Sequence, residues 1–281
     1  MIDTDTEIKI DGGFVRLVES MPQTALDTAI VQAARVSYAG GTTVTRSDRG
    51  LIRYLLRHRH TTPFEMVEFK FHIKMPIFIA RQHLRHRTAS VNELSARYSV
   101  VPNEYFRPDR YRTQSDTNKQ SSGADDIILE ESNVMKTKSE FVSDQAFHVY
   151  NEMIENGCCR ELARCHLPQS TYTEFYWKIN LHNLMHYLEL RMAPGAQKEI
   201  RDYACAIYDL VKDKVPDTME AFMDFKVNAL TLSGPEVEAF RTSFNMFPGS
   251  EHMFGTGKSA GGLTAGEARE FKDKIDRMTK K

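Results

Sequence analysis

The run R-H-R-T-A-S-V-N-E-L-S-A-R, Arg85 to Arg97, carries cations at one end, hydroxyl and amide residues in the middle, and one carboxylate, Glu93. Arginine forks and turn residues that expose backbone N–H groups (Thr88, Ser90, Asn92, Ser95) are the parts from which a phosphate site is built. Glu93 among them is either an ion-pair partner or an acceptor for a ligand N–H or hydroxyl. A solvated charged loop is the bland alternative. Against it stand the absence of lysine and the residues Val91 and Leu94, which are expected to anchor the segment inward.

A second chemical surface lies further along the chain. Read as a helix over Glu174–Met192, the sequence puts Leu181, Leu184, Met185 and Leu188 on a core face. Asn180, Asn183, Tyr187 and Arg191 then fall on one flank, and His182, His186 and Glu189 on the other. Arg164 is an isolated cation whose plain reading is a surface salt bridge. The histidines His58, His60, His72, His83 and His86 show none of the zinc spacings, and His58 and His60 sit between arginines that repel a divalent ion. No metal is expected. The G-T-G-K-S segment at 255–259 lacks the earlier glycine of a phosphate loop and reads as a linker.

The elements that must hold these groups follow from periodicity. A strand is expected near residue 16, helices over Ala25–Val36 and around Leu51–Leu56, and a loop at Gly40-Gly41. Val67, Phe69, Phe71 and Ile73 alternate with charged residues and make the clearest strand. Pro76 opens a helix with Ile77, Ala80 and Leu84 on one stripe and Arg81 and Arg85 on another. Residues 113–133 form a polar surface insertion expected to be mobile. Helices follow, one ending at Gly157, one over Arg160–His166, then Gln197–Lys214 and Asp217–Leu230. The fold class is α+β: a mixed strand/helix N-terminal half and a helical C-terminal half packed as one domain, 1–245. Residues 246–281 are a flexible linker and an amphipathic helix, with Thr264 and Glu267 as a capping box and Phe271, Ile275 and Met278 as its apolar stripe.

The chain has 281 residues and a net charge of -1, which argues against a general polyanion-binding surface. No apolar run approaches the roughly 18 residues of a membrane span. The acidic start M-I-D-T-D-T-E-I does not read as a signal peptide. Cys158, Cys159, Cys165 and Cys205 form no C-x-x-C pair and read as reduced thiols of a cytoplasmic protein.

The Arg85–Arg97 run resembles the R-H-R-x-x-S-x-N-E-x-S-x-R signature of the flavin-dependent thymidylate synthases (ThyX), with each fixed position filled. Also similar to that family, in order, are A-A-R-V-S (33–37), H-T-T-P-F-E (60–65), P-I-F-I-A-R-Q (76–82), Y-W-K-I-N (176–180), H-Y-L-E-L-R (186–191) and A-Q-K-E-I-R (196–201). The likeness covers roughly residues 10 to 230, without the polar insertion or the tail.

The resemblance implies a homotetramer with active sites at subunit interfaces. It implies reductive methylation of dUMP to dTMP, with 5,10-methylenetetrahydrofolate as carbon donor and FAD, reduced by NADPH, as hydride source. By position, Ser37, Thr62, Arg85, His86, Arg87, Asn92, Glu93, Asn180, His182 and His186 hold the flavin. Gln82, Arg85, Glu93, Ser95, Ala96 and Arg97 bind dUMP, its phosphate on the Ser95–Arg97 backbone, with Arg164 and Arg191 reaching it from a partner subunit. His60 and Tyr98 lie near the folate. Arg191 is the expected catalytic group, a fixed cation at the uracil edge where negative charge develops. Ser95, with no histidine placed to activate it, is assigned to binding. Pro194-Gly195 and Met66 replace residues that are histidine in many relatives. The alternative is a non-catalytic nucleotide- or RNA-binding protein using the same arginines.

Overall fold

The computed structural model describes residues 6–37, 47–116, 119–245 and 265–279. The Gly40-Gly41 loop, the G-T-G-K-S linker, Thr264 and the side chain of Met278 lie outside the described residues. The chain divides into two compact units, Met1–Asn228 and Ala229–Lys281.

In the first unit, β1 (Glu7–Ile10), β2 (Gly13–Met21) and β3 (Glu68–Pro76) are joined by β7 (Tyr172–Asn180) and the short edge strand β4 (Ser90–Glu93). All neighbours are antiparallel, in the order β1-β2-β3-β7-β4. A small separate hairpin pairs β5 (Arg112–Gln114) with β6 (Ser122–Asp126). The helices are α1 (Leu26–Arg35), α2 (Asp48–Arg57), α3 (Thr62–Glu65), α4 (Ile77–His83), α5 (Leu129–Glu155), α6 (Arg160–Ala163), α7 (Leu181–Arg191), α8 (Lys198–Val211) and α9 (Pro216–Phe222). A 3-10 turn at Arg164–His166 follows α6, and a π turn at Met223–Val227 follows α9. The second unit contributes α10 (Gly234–Asn245) and α11 (Ala265–Thr279).

Alternation decides which sheet face is buried. Phe69, Phe71 and Ile73 of β3 and Phe175, Trp177 and Ile179 of β7 point into one core with Val15 and Leu17 of β2. That core is closed by apolar residues of α1, α2, α7, α8 and α9. Each fully buried large side chain there contributes about 1.5–3 kcal/mol. The opposite face is polar: His72 Nε2 meets Glu174 Oε1 at 2.6 Å, and Lys178 pairs with Glu68 at 3.1 Å.

The helix expected over Glu174–Met192 is two elements. Residues Tyr172–Asn180 are strand, and α7 begins with no loop between, because Asn180 ends the strand and also caps the helix through its side chain to the Asn183 N–H at 2.9 Å. A strand from the second half therefore completes the sheet, so the halves are not a mixed part followed by a helical one. Tyr187, assigned to a polar flank, is fully buried. Pro76 is the N-cap of α4 rather than its first turn, and the helix stops at His83, so Arg85 does not stack on Arg81. His83 takes the buried position instead, with Ile79 and Ala80.

Residues 113–133 also differ from expectation. They hold most of the β5–β6 hairpin and the first turn of α5, and Arg112 at the hairpin base is tied to Glu199 of α8 at 2.7 and 3.0 Å. All four cysteines are free. Among the described residues no helix is long and apolar enough to cross a membrane, and no three His, Cys, Asp or Glu side chains cluster as metal ligands.

Candidate active site

The C-terminal ends of α4 and α7 meet, and the segment after α4 passes over that junction. The last carbonyls of a helix lack intrahelical donors, and a cation there is favoured by the helix dipole. Arg191, in the last turn of α7, supplies both: its guanidinium donates to the Gln82 carbonyl of α4 at 3.1 Å. Its Nε donates to His86 Nε2 at 3.1 Å. An arginine can only donate, so His86 accepts at Nε2 and carries its proton on Nδ1.

Burial first, then the Arg191 charge and His186, push the His86 pKa down to about 4. The imidazole is therefore neutral at pH 7. Behind it, His83 is fully buried, Nδ1 lies 3.0 Å from the Tyr187 hydroxyl, and burial above all lowers its pKa to about 3. Its ring lies edge-on to Trp177 and Tyr187, with centroids 4.3 and 4.8 Å away. The His86 ring stands on Tyr187 at 4.9 Å and faces His186 at 5.8 Å. This apolar backing holds two imidazoles in fixed, uncharged orientations.

In front of them is a cavity of about 570 Å³, lined by Arg85, His86, Arg87, Thr88, Asn183, His186 and Arg191 and floored by Ile179 and Leu190. Three guanidiniums, two imidazoles and an apolar floor suit a ligand with an anionic part and a planar part, as a flavin dinucleotide has. Arg191 and His186, expected on different flanks, share this one cavity. At 100° per residue a five-residue separation is a wide angle, but the Arg85–Thr88 segment wraps across it.

The second half of the signature behaves differently. Ser90–Glu93 is the edge strand β4, paired with Lys178–Phe175 of β7, and not a turn. Val91 and Leu94 are exposed, 43% and 44%, so they do not anchor the segment inward; backbone pairing to β7 holds it instead. Glu93 accepts the Thr173 hydroxyl at 2.5 Å. Past Leu94 a tight turn forms: Tyr98 N–H donates to the Ser95 carbonyl at 3.0 Å, and the Arg97 N–H donates to Ser95 Oγ at 3.3 Å. Ala96 packs on a small cluster of Val101, Tyr105, Phe147, Tyr150 and Ala163. Arg97 pairs with Glu161 of α6 at 3.3 Å, which brings α6, and the turn bearing Arg164 just after it, to the 95–97 turn of the same chain.

Of the remaining candidates, Gln82 sits at the junction, its amide donating to Gln197 Oε1 at 2.6 Å. Asn180 Oδ1 is committed to the α7 cap. His182, Ser37, Thr62, His60, Asn92, Tyr98 and Arg164 do not line the cavity. His60 packs beside Tyr54 and His58, and Tyr98 is 80% exposed. Thr88, named with the phosphate-site turn residues, does line the cavity, whereas the sequence assigns no ligand role to Ile179, Asn183 or Leu190; Asn183 stands on the helix flank, and its i+8 relation to Arg191 is the available signal.

The family model described as "Thymidylate synthase complementing protein" matches residues 16–217. Among curated relatives, the flavin-dependent thymidylate synthase of Dictyostelium discoideum is 51% identical over 249 residues, covering 84% of this chain and 80% of its own. The enzyme of the same description from Thermus thermophilus is 52% identical over 233 residues, covering 83% of each. A solved UMP/dUMP methylase, PolB from Streptomyces cacaoi bound with 5-Br dUMP, superposes with a TM-score of 0.69 at 35% identity, covering 77% of this chain and 97% of that one. With the family model spanning most of the chain and half the residues shared with full-length relatives, this chain belongs to the flavin-dependent thymidylate synthase family.

Proposed function

We propose that this chain converts dUMP to dTMP, with FAD as its resident flavin, NADPH as the reductant and 5,10-methylenetetrahydrofolate as the carbon donor. The observation that carries the reading is the Arg191–His86–Gln82 junction beside a cavity walled by the first part of the family signature, Arg85–Arg87. When bound, the flavin supplies the hydride that completes the methyl group; the protein's own groups bind, orient and stabilise.

Arg85 and Arg87, exposed at the cavity mouth, hold the diphosphate. His86, held neutral by burial, and His186 offer flat imidazole surface to the ring system. Arg191 spends one N–H on His86 and one on Gln82, and its other N–H groups are available to the uracil edge. A charge locked in place by two protein hydrogen bonds needs no reorganisation when negative charge develops at that edge, so it lowers the barrier rather than merely tightening binding. Glu93, steered by Thr173, accepts from a nucleotide hydroxyl or N–H, and Ser95, Ala96 and Arg97 take the phosphate. Arg97 has already formed its ion pair with Glu161, so phosphate binding replaces or shares that contact.

The homotetramer with interfacial sites, and a cytoplasmic setting, belong to the same proposal. Its support is the exposed edge β4 with Val91, Leu94 and Tyr98 beside the signature: an edge strand with apolar neighbours that partner chains would cover. The same packing would bring Arg164, His60 and Tyr98, which stand outside this chain's cavity, to a partner's nucleotide and folate. The test is tritium release from [5-³H]dUMP by flavin-replete protein supplied with methylenetetrahydrofolate and NADPH; absence of release refutes the activity.

A further inference from the structure

Four side chains run in series from the β5–β6 hairpin to the site. Arg112 donates to both oxygens of Glu199, at 2.7 and 3.0 Å, and its Nε donates to Ser122 Oγ at 3.1 Å. Glu199 Oε2 accepts the Gln197 amide at 2.8 Å, and Gln197 Oε1 accepts the Gln82 amide at 2.6 Å. Ser121 Oγ adds a contact to the Gly195 carbonyl at 3.3 Å, seating the hairpin on the turn before α8.

The order of these groups has a consequence that an isolated ion pair would not. An amide presents a donor at one end and an acceptor at the other, and either can face a neutral neighbour. A carboxylate only accepts. Glu199 therefore forces the NH2 end of Gln197 toward itself, which turns the Gln197 carbonyl to Gln82, which in turn must give its own NH2 end. Gln82 is left with its Oε1 and one N–H facing away from the relay, in one fixed order. Glu199 is buried, which alone would raise its pKa, yet the Arg112 bond, its own backbone N–H, Gln197 and the Arg112 charge together hold it below the ordinary value, so it stays ionised.

We propose that Arg112, Glu199 and Gln197 are positioning residues that set the orientation of the Gln82 amide and so tune its grip on the nucleotide. The proposal rests on the assignment of Gln82 to dUMP made above. It also gives the polar hairpin a role, since its base supplies the guanidinium that keeps the relay polarised.

The test compares Glu199→Gln, Gln197→Met, Gln82→Ala and the double variant Gln82→Ala/Glu199→Gln, each full-length and flavin-replete, with dUMP varied and the other substrates saturating. Glu199→Gln keeps the shape but can offer either end to Gln197. Gln197→Met removes the amide at a half-buried position and serves as the second variant should Glu199→Gln fail to fold. The expected result is a KM for dUMP raised about three- to tenfold in both relay variants. The turnover number and the visible flavin spectrum stay unchanged, and no further rise appears when Glu199→Gln is added to Gln82→Ala, because the groups act in series. A KM unchanged in the relay variants but raised in Gln82→Ala overturns the relay and leaves the nucleotide site standing. A KM unchanged in Gln82→Ala overturns the assignment of Gln82 and the relay with it. Effects that add in the double variant, or that fall on flavin content, reduce Glu199 to a structural ion pair and overturn the proposal.

Discussion

Removing Arg191 is the perturbation from which most can be learned, because its two protein contacts give separate readouts. In Arg191→Ala the Gln82 carbonyl and His86 Nε2 lose a charged donor, and the uracil edge loses its fixed cation. The loss of one preorganised electrostatic donor at a developing charge costs about 10²–10³ in turnover, or about 2.7–4 kcal/mol. Arg191→Lys keeps the charge but cannot reproduce a planar fork that bonds two acceptors while facing a third, so it recovers only a small part of that loss. Flavin content should hold, since Arg85, His86, Arg87 and His186 remain in the cavity wall. His86 supplies an independent check. Its pKa of about 4 is set by burial first and the Arg191 charge second, so Arg191→Ala raises it without restoring the ordinary 6.5. Turnover measured by tritium release, flavin by absorbance and His86 by isotope-edited NMR titration address the three effects. Turnover within threefold of wild type, or an unmoved His86, refutes the reasoning.

Three further outcomes are expected. Thr173→Val removes the hydroxyl that donates to Glu93 at 2.5 Å and should raise the KM for dUMP about two- to tenfold with little loss of stability; an unchanged KM shows that Glu93 needs no steering. His83 is held neutral down to about pH 3, whereas the unfolded chain protonates it near its ordinary 6.5. Across that window the unfolded state binds the extra proton, so stability falls as pH drops, with a slope approaching about 1.4 kcal/mol per pH unit from this group; denaturation of His83→Gln between pH 4.5 and 6.5 should be flatter by one proton, and an identical slope counts against it. Asp27 accepts from the Asp217 and Thr218 N–H groups at 2.9 and 3.3 Å and from the Thr218 hydroxyl at 2.6 Å, capping α9 from a distant helix. Asp27→Ala should lower stability by about 1–2 kcal/mol in calorimetry without altering flavin binding.

Strand β3 is legible because one face is apolar and the other polar from Glu68 to Met75, so period two stands out. Its partner β7 has the same alternation at Phe175, Trp177 and Ile179, yet the sequence there predicts helix. The reason is physical: Asn180 is both strand end and helix cap, so no turn residue separates the two periods, and the strong 3.6-residue stripe of Leu181–Leu188 extends backward over the strand. Strand β4 fails in another way, since every residue from Ser90 to Glu93 is exposed and no buried face exists to impose alternation. The hairpin at 112–126 was unreadable for a third reason. Its anchor, Arg112 to Glu199, joins residues 87 apart, and nothing local distinguishes such a segment from a mobile polar insertion.

The site divides along the same line. Residue types were legible from the signature, and the cavity wall of Arg85, His86, Arg87, His186 and Arg191 corresponds to positions named from sequence. What sequence spacing misjudged was their arrangement. Helical geometry set Arg191 and His186 apart because it treats a helix as a free cylinder, on which five residues span a wide angle. Here a carbonyl at a second helix end accepts from Arg191, and the chain leaving that helix lays a histidine beside both. The bond from Arg191 to His86 links positions 105 apart, and it is this contact, not either flank of α7, that fixes Arg191 at the cavity wall. The resulting constraint is testable in the arginine variants: a site assembled from two helix ends loses chemistry, and not its cofactor, when the cation bridging them is removed.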